Sequence, residues 1–77
     1  METIDRVKRV ASNYSGVGLD DIGDDASFEQ LGLDSLDELQ AIMDIEAEFD
    51  IFVPDDEAEK MLSISHVVSF LDEHGAG

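Results

Sequence analysis

The strongest constraint on the fold is a run of apolar residues in the middle of the chain. They recur every three or four positions, the period of an α-helix, at Leu36, Leu39, Ile42, Met43, Ile45 and Phe49. Ser35 precedes this run and Glu38 follows three residues later, a Ser-x-x-Glu pattern typical of a capping box. The pattern predicts a helix from about Leu36 to Phe49, with Ser35 as its N-cap at a surface corner.

The apolar residues of this helix form two strips, which is more than a helix packed on one side needs. The first strip is Leu36, Leu39 and Met43, and the second is Ala41, Ile42, Ile45 and Phe49. Both strips could belong to the core, with the intervening acidic residues forming a solvated face. Alternatively, the first strip is partly exposed and edged by carboxylates, a composition suited to docking on a basic groove.

Two further helices and a short helical turn are indicated on either side. Thr3 is a candidate cap for a first helix that ends at Ser15-Gly16-Val17-Gly18, where two glycines favour a C-cap and a turn. Pro54 precedes a short turn, Asp55 to Met61, and Ser63 is a candidate cap for a last helix. The apolar faces of the outer helices are Ile4, Val7, Val10, Ala11 and Tyr14, and then Ile64, Val67, Val68 and Leu71.

The connections contain no convincing strand. The acidic segment 19–32 carries Leu19, Ile22, Phe28 and Leu31, which we expect to attach it to the core, and 51–53 is expected to be an extended connection. His74 and residues 75–77 are expected to form a frayed tail. The sequence therefore predicts an all-α fold, a small four-helix bundle of three main helices and one short helix, in a single domain over 1–77.

Charge restricts the function more than any other property of the composition. Twenty Asp and Glu residues against four Lys and Arg give a formal net charge of -16. Such a surface repels nucleic acid and anionic lipid and favours encounters with basic protein patches. No apolar run approaches the ~20 residues of a membrane-spanning helix, and the N-terminus lacks a signal-peptide pattern. We therefore expect a soluble, cytoplasmic protein with no membrane insertion and no nucleic acid partner.

No catalytic constellation can be assembled from these residues. Ser35 lacks the Gly-x-Ser-x-Gly elbow, and the only imidazoles, His66 and His74, have neither a nucleophile pattern nor metal-ligand spacing. The aspartate-rich segment breaks the EF-hand pattern in every register, and the chain has no cysteine. The sequence thus predicts a non-catalytic protein without a metal site.

Ser35 can instead be interpreted as an attachment point. The amide groups and dipole at a helix start favour an anion there, so a phosphate-linked group is one interpretation, and a plain helix cap is the other. The segment Leu31-Gly32-Leu33-Asp34-Ser35-Leu36-Asp37 resembles the attachment motif of acyl carrier proteins. The similarity continues through Met43, Glu46-Ala47-Glu48-Phe49-Asp50 and 53–61, and extends weakly to Ala26-Ser27-Phe28 and the first helix.

This resemblance implies a 4′-phosphopantetheine arm, derived from coenzyme A, on Ser35, with Asp34 recognised by the phosphopantetheinyl transferase. The thiol of the arm would hold acyl intermediates as thioesters and present them to synthases, reductases and transferases with basic docking patches. The resemblance assigns partner binding to Leu36, Asp37, Leu39, Met43, Asp44, Glu46 and Glu48. It assigns the acyl-sheltering interior to Phe28, Ile45, Phe49, Val53, Met61 and Leu71. A monomer is expected.

Four positions depart from the pattern of the fatty-acid members. Gln40 and Ala47 replace frequent glutamates, with Asp44 as a possible compensation, and Phe52 and Leu62 replace frequent polar residues. We hypothesise that Phe52 and Leu62 belong to a pocket or a partner contact. The pathway is open between fatty-acid, polyketide and specialised lipid biosynthesis. The alternatives are a peptidyl carrier domain, against which Leu33-Asp34 argues, and an acidic module that binds a basic protein without any arm.

Overall fold

The computed structural model describes residues 2–74, which form four α-helices and one short 3₁₀ turn. The elements are α1 (Thr3–Ser15), the 3₁₀ turn (Leu19–Asp21), α2 (Ser35–Phe49), α3 (Asp55–Ala58) and α4 (Ile64–Glu73). Within 2–74 there is no β-strand, only an isolated antiparallel bridge between Ser27 and Ser63. The predicted all-α bundle of three main helices and one short helix is confirmed. The tail prediction for 75–77 lies outside the described residues. His74, which was expected to belong to the frayed tail, is instead attached to α4, because its N–H donates to the Phe70 carbonyl at 3.1 Å.

Two of the predicted helix ends of α1 and α4 are confirmed and one is wrong. Gly16 ends α1 in the left-handed conformation at φ 75°, and its N–H donates to the Ser12 carbonyl at 2.9 Å. Ser63 caps α4 by accepting from the His66 N–H at 3.3 Å. Thr3, however, is the first helical residue, because Glu2 is the last residue with extended backbone and occupies the N-cap position.

The core is made by one face of each main helix together with side chains from the connections. α1 lies against both α2 and α4. The connections contribute Ile22, Phe28 and Leu33 before α2 and Val53 and Met61 after it. Leu31 is partly buried as expected, but Leu19 is 37% exposed and does not attach the acidic segment to the core. Leu19 lies in the 3₁₀ turn, whereas Ile22, the residue just after that turn, is buried.

The segment before α2 is attached to the start of α4 by backbone hydrogen bonds. The Phe28 N–H donates to the Leu62 carbonyl and the Ile64 N–H donates to the Ala26 carbonyl, both at 3.0 Å. Gly32 turns the chain at φ 87°, a conformation that favours glycine. These contacts fix the direction from which the chain enters α2, and so fix the position of Ser35.

The segment after α2 is held by Glu46. Asp50 ends α2 in the left-handed conformation, and the Glu46 carboxylate accepts from the Val53 N–H at 2.8 Å. Residues 51–53 form neither helix nor strand, as expected for a connection. α3 ends at Ala58, so the expected helix to Met61 is too long. The reason is that the Lys60 and Met61 N–H groups bond three residues back, to Glu57 and Ala58, which tightens the chain into a turn.

Candidate functional site

The start of α2 differs from its prediction by one residue. Asp34 is the N-cap, with extended backbone and a side-chain oxygen that accepts from the Asp37 N–H at 2.8 Å, and Ser35 is the first helical residue. Asp and Ser are equally good N-caps, so the sequence could not decide between neighbours. The correction has a functional consequence: the Ser35 hydroxyl is not used as the cap of the helix.

Ser35 is exposed at this corner. The Asp37 and Glu38 amides already donate to Asp34, through its side chain and its carbonyl. The Ser35 and Leu36 N–H groups are the first two of the helix and have no intrahelical acceptor. Together with the positive end of the helix dipole, they favour an anion at this corner. The nearby carboxylates repel an anion that diffuses freely in solution. The geometry therefore suits a phosphate that is covalently attached better than one that is reversibly bound.

An open groove of about 610 Å³ lies beside Ser35, between α2 and α3. Its apolar lining is Leu39, Ile42, Ala58 and Leu62, and its polar lining is Ser35, Glu38, Asp55 and Glu59. Ile42 is only 4% exposed, so it belongs both to the groove and to the buried core. The groove thus leads from the serine toward the interior along an apolar surface.

All six residues that were assigned to the interior are buried. Phe28, Ile45 and Leu71 are among the most completely enclosed side chains, and Phe49, Val53 and Met61 are also in the core. Ile42 was missing from that set. Its signal was present in the sequence, since it lies seven residues after Ser35 and hence two turns along the same face of the helix.

The two apolar strips of α2 differ in exposure, as expected if the first strip is a docking surface. Leu36, Leu39 and Met43 are 62%, 57% and 64% exposed. The second strip, Ala41, Ile42, Ile45 and Phe49, is buried. The interpretation in which both strips belong to the core is therefore wrong, and α2 presents an exposed apolar strip next to Ser35.

Several of the acidic residues expected to contact partners also have contacts within the chain. The Glu48 carboxylate pairs with Arg6 at 2.9 Å, and Glu46 bonds the Val53 amide as described above. Asp44 accepts a hydrogen bond from the Tyr14 hydroxyl at 2.5 Å. Asp37 is half-buried in the first turn of α2. These contacts orient the carboxylates and limit how freely they can respond to a partner.

Tyr14 was not identified as a site residue, because its position on α1 gives no signal of proximity to α2. The hydrogen bond to Asp44 raises the pKa of Tyr14 above its usual 10.0. Partial burial and the charges of Asp44 and Asp37 raise this pKa further, by smaller amounts. The phenol is therefore protonated at neutral pH and serves as the donor to Asp44.

The four residues that depart from the pattern of the fatty-acid carriers lie in different places. Leu62 is 50% exposed and lines the groove beside Ser35, whereas Phe52 is 77% exposed and is not part of that groove. Gln40 and Ala47 are exposed on α2. Only Leu62 is thus in a position to contact a group attached to Ser35.

The histidines are apart from the groove. His66 is exposed on α4, and His74 stacks on Phe70 with ring centroids 4.0 Å apart. Across residues 2–74, no group of three or more His, Cys, Asp or Glu side chains is arranged to hold a metal ion. None of the helices in this part of the chain is both long enough and apolar enough to cross a membrane.

Comparison with known proteins agrees with this geometry. Residues 5–71 match the family model described as phosphopantetheine attachment site. The chain is 40% identical over 76 residues to the acyl carrier protein of Zymomonas mobilis subsp. mobilis, which covers 97% of each chain. That family carries 4′-phosphopantetheine as its prosthetic group and acts as a carrier rather than as a catalyst. On this match over most of its length, the chain belongs to the acyl carrier protein family.

Proposed function

We propose that Ser35 is the residue that bears the 4′-phosphopantetheine arm, and that 1–77 is a single, non-catalytic carrier domain. The observation that supports this most directly is the exposed Ser35 hydroxyl, which Asp34 releases from capping and which borders the apolar groove. When attached, the arm supplies the thiol that holds an acyl group as a thioester. The absence of cysteine in the chain is consistent with a thiol that belongs to the prosthetic group.

In this proposal the groove and the core shelter the cargo. The Ser35 and Leu36 amides face the phosphate, and the apolar groove lining leads an acyl chain past Ile42. The interior residues Phe28, Ile45, Phe49, Val53, Met61 and Leu71 then contact the chain. Enclosure of the acyl chain by these residues removes its apolar surface from water, which stabilises the sheltered state by roughly 0.8 kcal/mol per methylene.

Partner enzymes would contact the exposed strip and the acidic residues of α2. Leu36, Leu39 and Met43 supply the apolar contact, with Asp37, Asp44, Glu46 and Glu48 around them. A basic patch is the complementary surface, since the net charge is -16. The partners proposed on this basis are the phosphopantetheinyl transferase and acyl-processing synthases, reductases and transferases. The protein is proposed to act as a monomer in the cytoplasm.

Mass spectrometry of the intact protein tests the assignment. The apo protein is incubated with coenzyme A and a broad-specificity phosphopantetheinyl transferase, and we expect the wild type to gain one arm. Ser35→Ala is expected to gain none. Ser69→Ala is the matched control, because Ser69 is also exposed but lies on α4, and this variant is expected to load as the wild type does. An arm on Ser35→Ala, or an unmodified wild type, would show that the assignment is wrong.

A further inference from the structure

A second groove, of about 440 Å³, lies on the other side of the exposed strip, between α1 and α2. We call it the Tyr14 groove, because α1 contributes only Tyr14 to it. α2 contributes the remaining lining, Leu36, Leu39, Gln40, Met43 and Asp44. Its apolar walls are among the most exposed of the chain, with Leu36 at 62% and Met43 at 64%. An accessible apolar concavity of this kind is typical of a protein contact.

The Tyr14 groove has a defined polar composition. The Tyr14 hydroxyl donates to the Asp44 Oδ2 atom at 2.5 Å, which fixes the phenol ring as a wall of the groove. This bond uses only part of the hydrogen-bonding capacity of the carboxylate, so Asp44 can still accept from a cationic side chain. Gln40 adds a neutral amide and no second charge. The groove therefore fits an aliphatic side chain that lies beside a single Lys or Arg.

The position of the Tyr14 groove relative to Ser35 indicates which protein would occupy it. Leu36 follows Ser35 directly, and Leu39 lines both this groove and the groove beside Ser35. An enzyme that brings its active site onto the Ser35 hydroxyl must cover Leu36 and Leu39 as well. The net charge of -16 attracts a basic enzyme surface to the molecule, and Asp44 supplies a carboxylate within this groove.

We propose that the Tyr14 groove is a docking site for the phosphopantetheinyl transferase that modifies Ser35. The groove accepts an aliphatic side chain of the enzyme, and Asp44 pairs with an adjacent Lys or Arg. This extends the docking surface from α2 to α1, with Tyr14 as a contact residue. The inference rests on the proposed function, since it requires Ser35 to be modified.

Loading kinetics at saturating coenzyme A test this inference, with apo protein as the varied substrate and intact mass as the readout. We expect Tyr14→Ala to raise the KM for the apo protein roughly fivefold or more, with kcat little changed, because a wall of the docking site is lost. Tyr14→Phe retains the ring and is expected to change KM less. Ser12→Ala is the matched control: it also removes a hydroxyl hydrogen bond of α1, to the Val17 carbonyl, but does not line the groove.

The result that would overturn the inference is a KM for Tyr14→Ala within twofold of the wild type. Loss of a concentration-dependent dimer in that variant, without a change in KM, would instead assign the groove to a second copy of the chain. Failure of the proposed function is distinguishable, because the wild type itself would then gain no arm.

A second measurement does not depend on the folding of a Tyr14 variant. Ser35→Ala is labelled with ¹⁵N and titrated with the transferase. We expect the amide signals of Tyr14 and Gln40 to shift or broaden together with that of Leu36, whereas that of Ser69 on α4 stays unchanged. A response of Leu36 without Tyr14 and Gln40 would restrict docking to the Ser35 side of α2 and contradict the inference.

Discussion

Asp34 shows how a single residue can have a structural and a recognition role at once. Its side chain caps α2 through the Asp37 amide, and its charge lies next to the proposed attachment serine. The Asp-Ser motif in the sequence is compatible with both roles and does not distinguish them. Because Asn caps a helix as well as Asp does, substitution can separate them.

We predict that Asp34→Asn keeps the free energy of unfolding within about 0.5 kcal/mol of the wild type, and that Asp34→Ala lowers it by about 1 kcal/mol. The reason is that Asn retains an oxygen acceptor for the Asp37 amide, and Ala does not. Urea denaturation of the apo proteins measures both values. If Asp34 is also recognised by the transferase through its charge, Asp34→Asn loads more slowly than the wild type. Equal destabilisation by Asn and Ala would contradict the capping role.

The Tyr14–Asp44 hydrogen bond gives a prediction about pH. The pKa of Tyr14 is raised in the folded protein, so this bond stabilises the fold below the unfolded value of about 10 and is lost as the pH rises through the raised value. We therefore expect the stability difference between wild type and Tyr14→Phe to be constant from pH 7 to 9 and to shrink above pH 10. Thermal melts of the two proteins across this range measure the difference, because other titrating groups are common to both. A difference that grows above pH 10 would contradict the assignment.

At the scale of the helices, Arg6 connects α1 to the end of α2. Its guanidinium donates to the Glu48 carboxylate at 2.9 Å and to the Glu48 carbonyl at 3.0 Å, and its Cζ atom lies 4.2 Å from the centroid of the Phe49 ring. Phe49 is one of the proposed interior residues, so this contact would cover one side of the proposed cargo compartment. It joins the two helices at a place other than the Tyr14 groove.

We predict that Arg6→Met lowers the free energy of unfolding by about 1 kcal/mol. The ion pair is partly exposed, with side chains 34% and 44% accessible, so it contributes at most a modest share, and the contact with Phe49 adds a similar amount. Arg9→Met is the matched control, since it removes the same charge from an exposed position on the same helix. Chemical denaturation measures both variants. If Arg9→Met were equally destabilising, net charge rather than the Arg6 contact would be the cause.

At the scale of the whole molecule, charge repulsion opposes folding. The chain carries a net charge of -16 within principal extents of 27 × 27 × 19 Å, and residues 2–74 contain two salt bridges, Arg6–Glu48 and Lys8–Asp24. With twenty Asp and Glu residues and four Lys and Arg, repulsive pairs of charges outnumber attractive ones, and dilute salt does not screen them over these dimensions. The few favourable pairs are weakened by salt, but they are outnumbered by the repulsive ones.

We predict that added salt raises the melting temperature of the apo protein. At ~0.1 M ionic strength the Debye length is about 10 Å, shorter than any dimension of the molecule, so repulsion across the bundle is largely screened. Thermal melts in NaCl and in MgCl₂ at equal ionic strength measure the effect. A larger rise in MgCl₂ would indicate divalent binding in addition to screening. A melting temperature that stays constant or falls with salt would show that repulsion does not limit stability.

The sequence alone determined the class of fold, the position of α2 and the family. These follow from local rules: apolar periodicity is set by helix geometry, glycine ends α1 where the backbone needs a left-handed turn, and the motif around Ser35 is contiguous. The net charge likewise needs no structure. At Ser35 the competing cap, Asp34, has a similar local preference, so only the backbone geometry distinguishes the two. The helix ends that were misplaced at Thr3 and Met61 are likewise set by the backbone, at Glu2 and in the turn after Ala58.

Tertiary structure decided which apolar strip of α2 is exposed, because both have helical spacing and only packing against α1 and the rest of the core buries one of them. It also decided that Leu62 borders the groove beside Ser35 and Phe52 does not, since this depends on how α3 and its turns are placed. The partnership of Tyr14 with Asp44, and that of Arg6 with Glu48, joins residues distant in the chain. No local pattern encodes such contacts, because they exist only once the helices are packed.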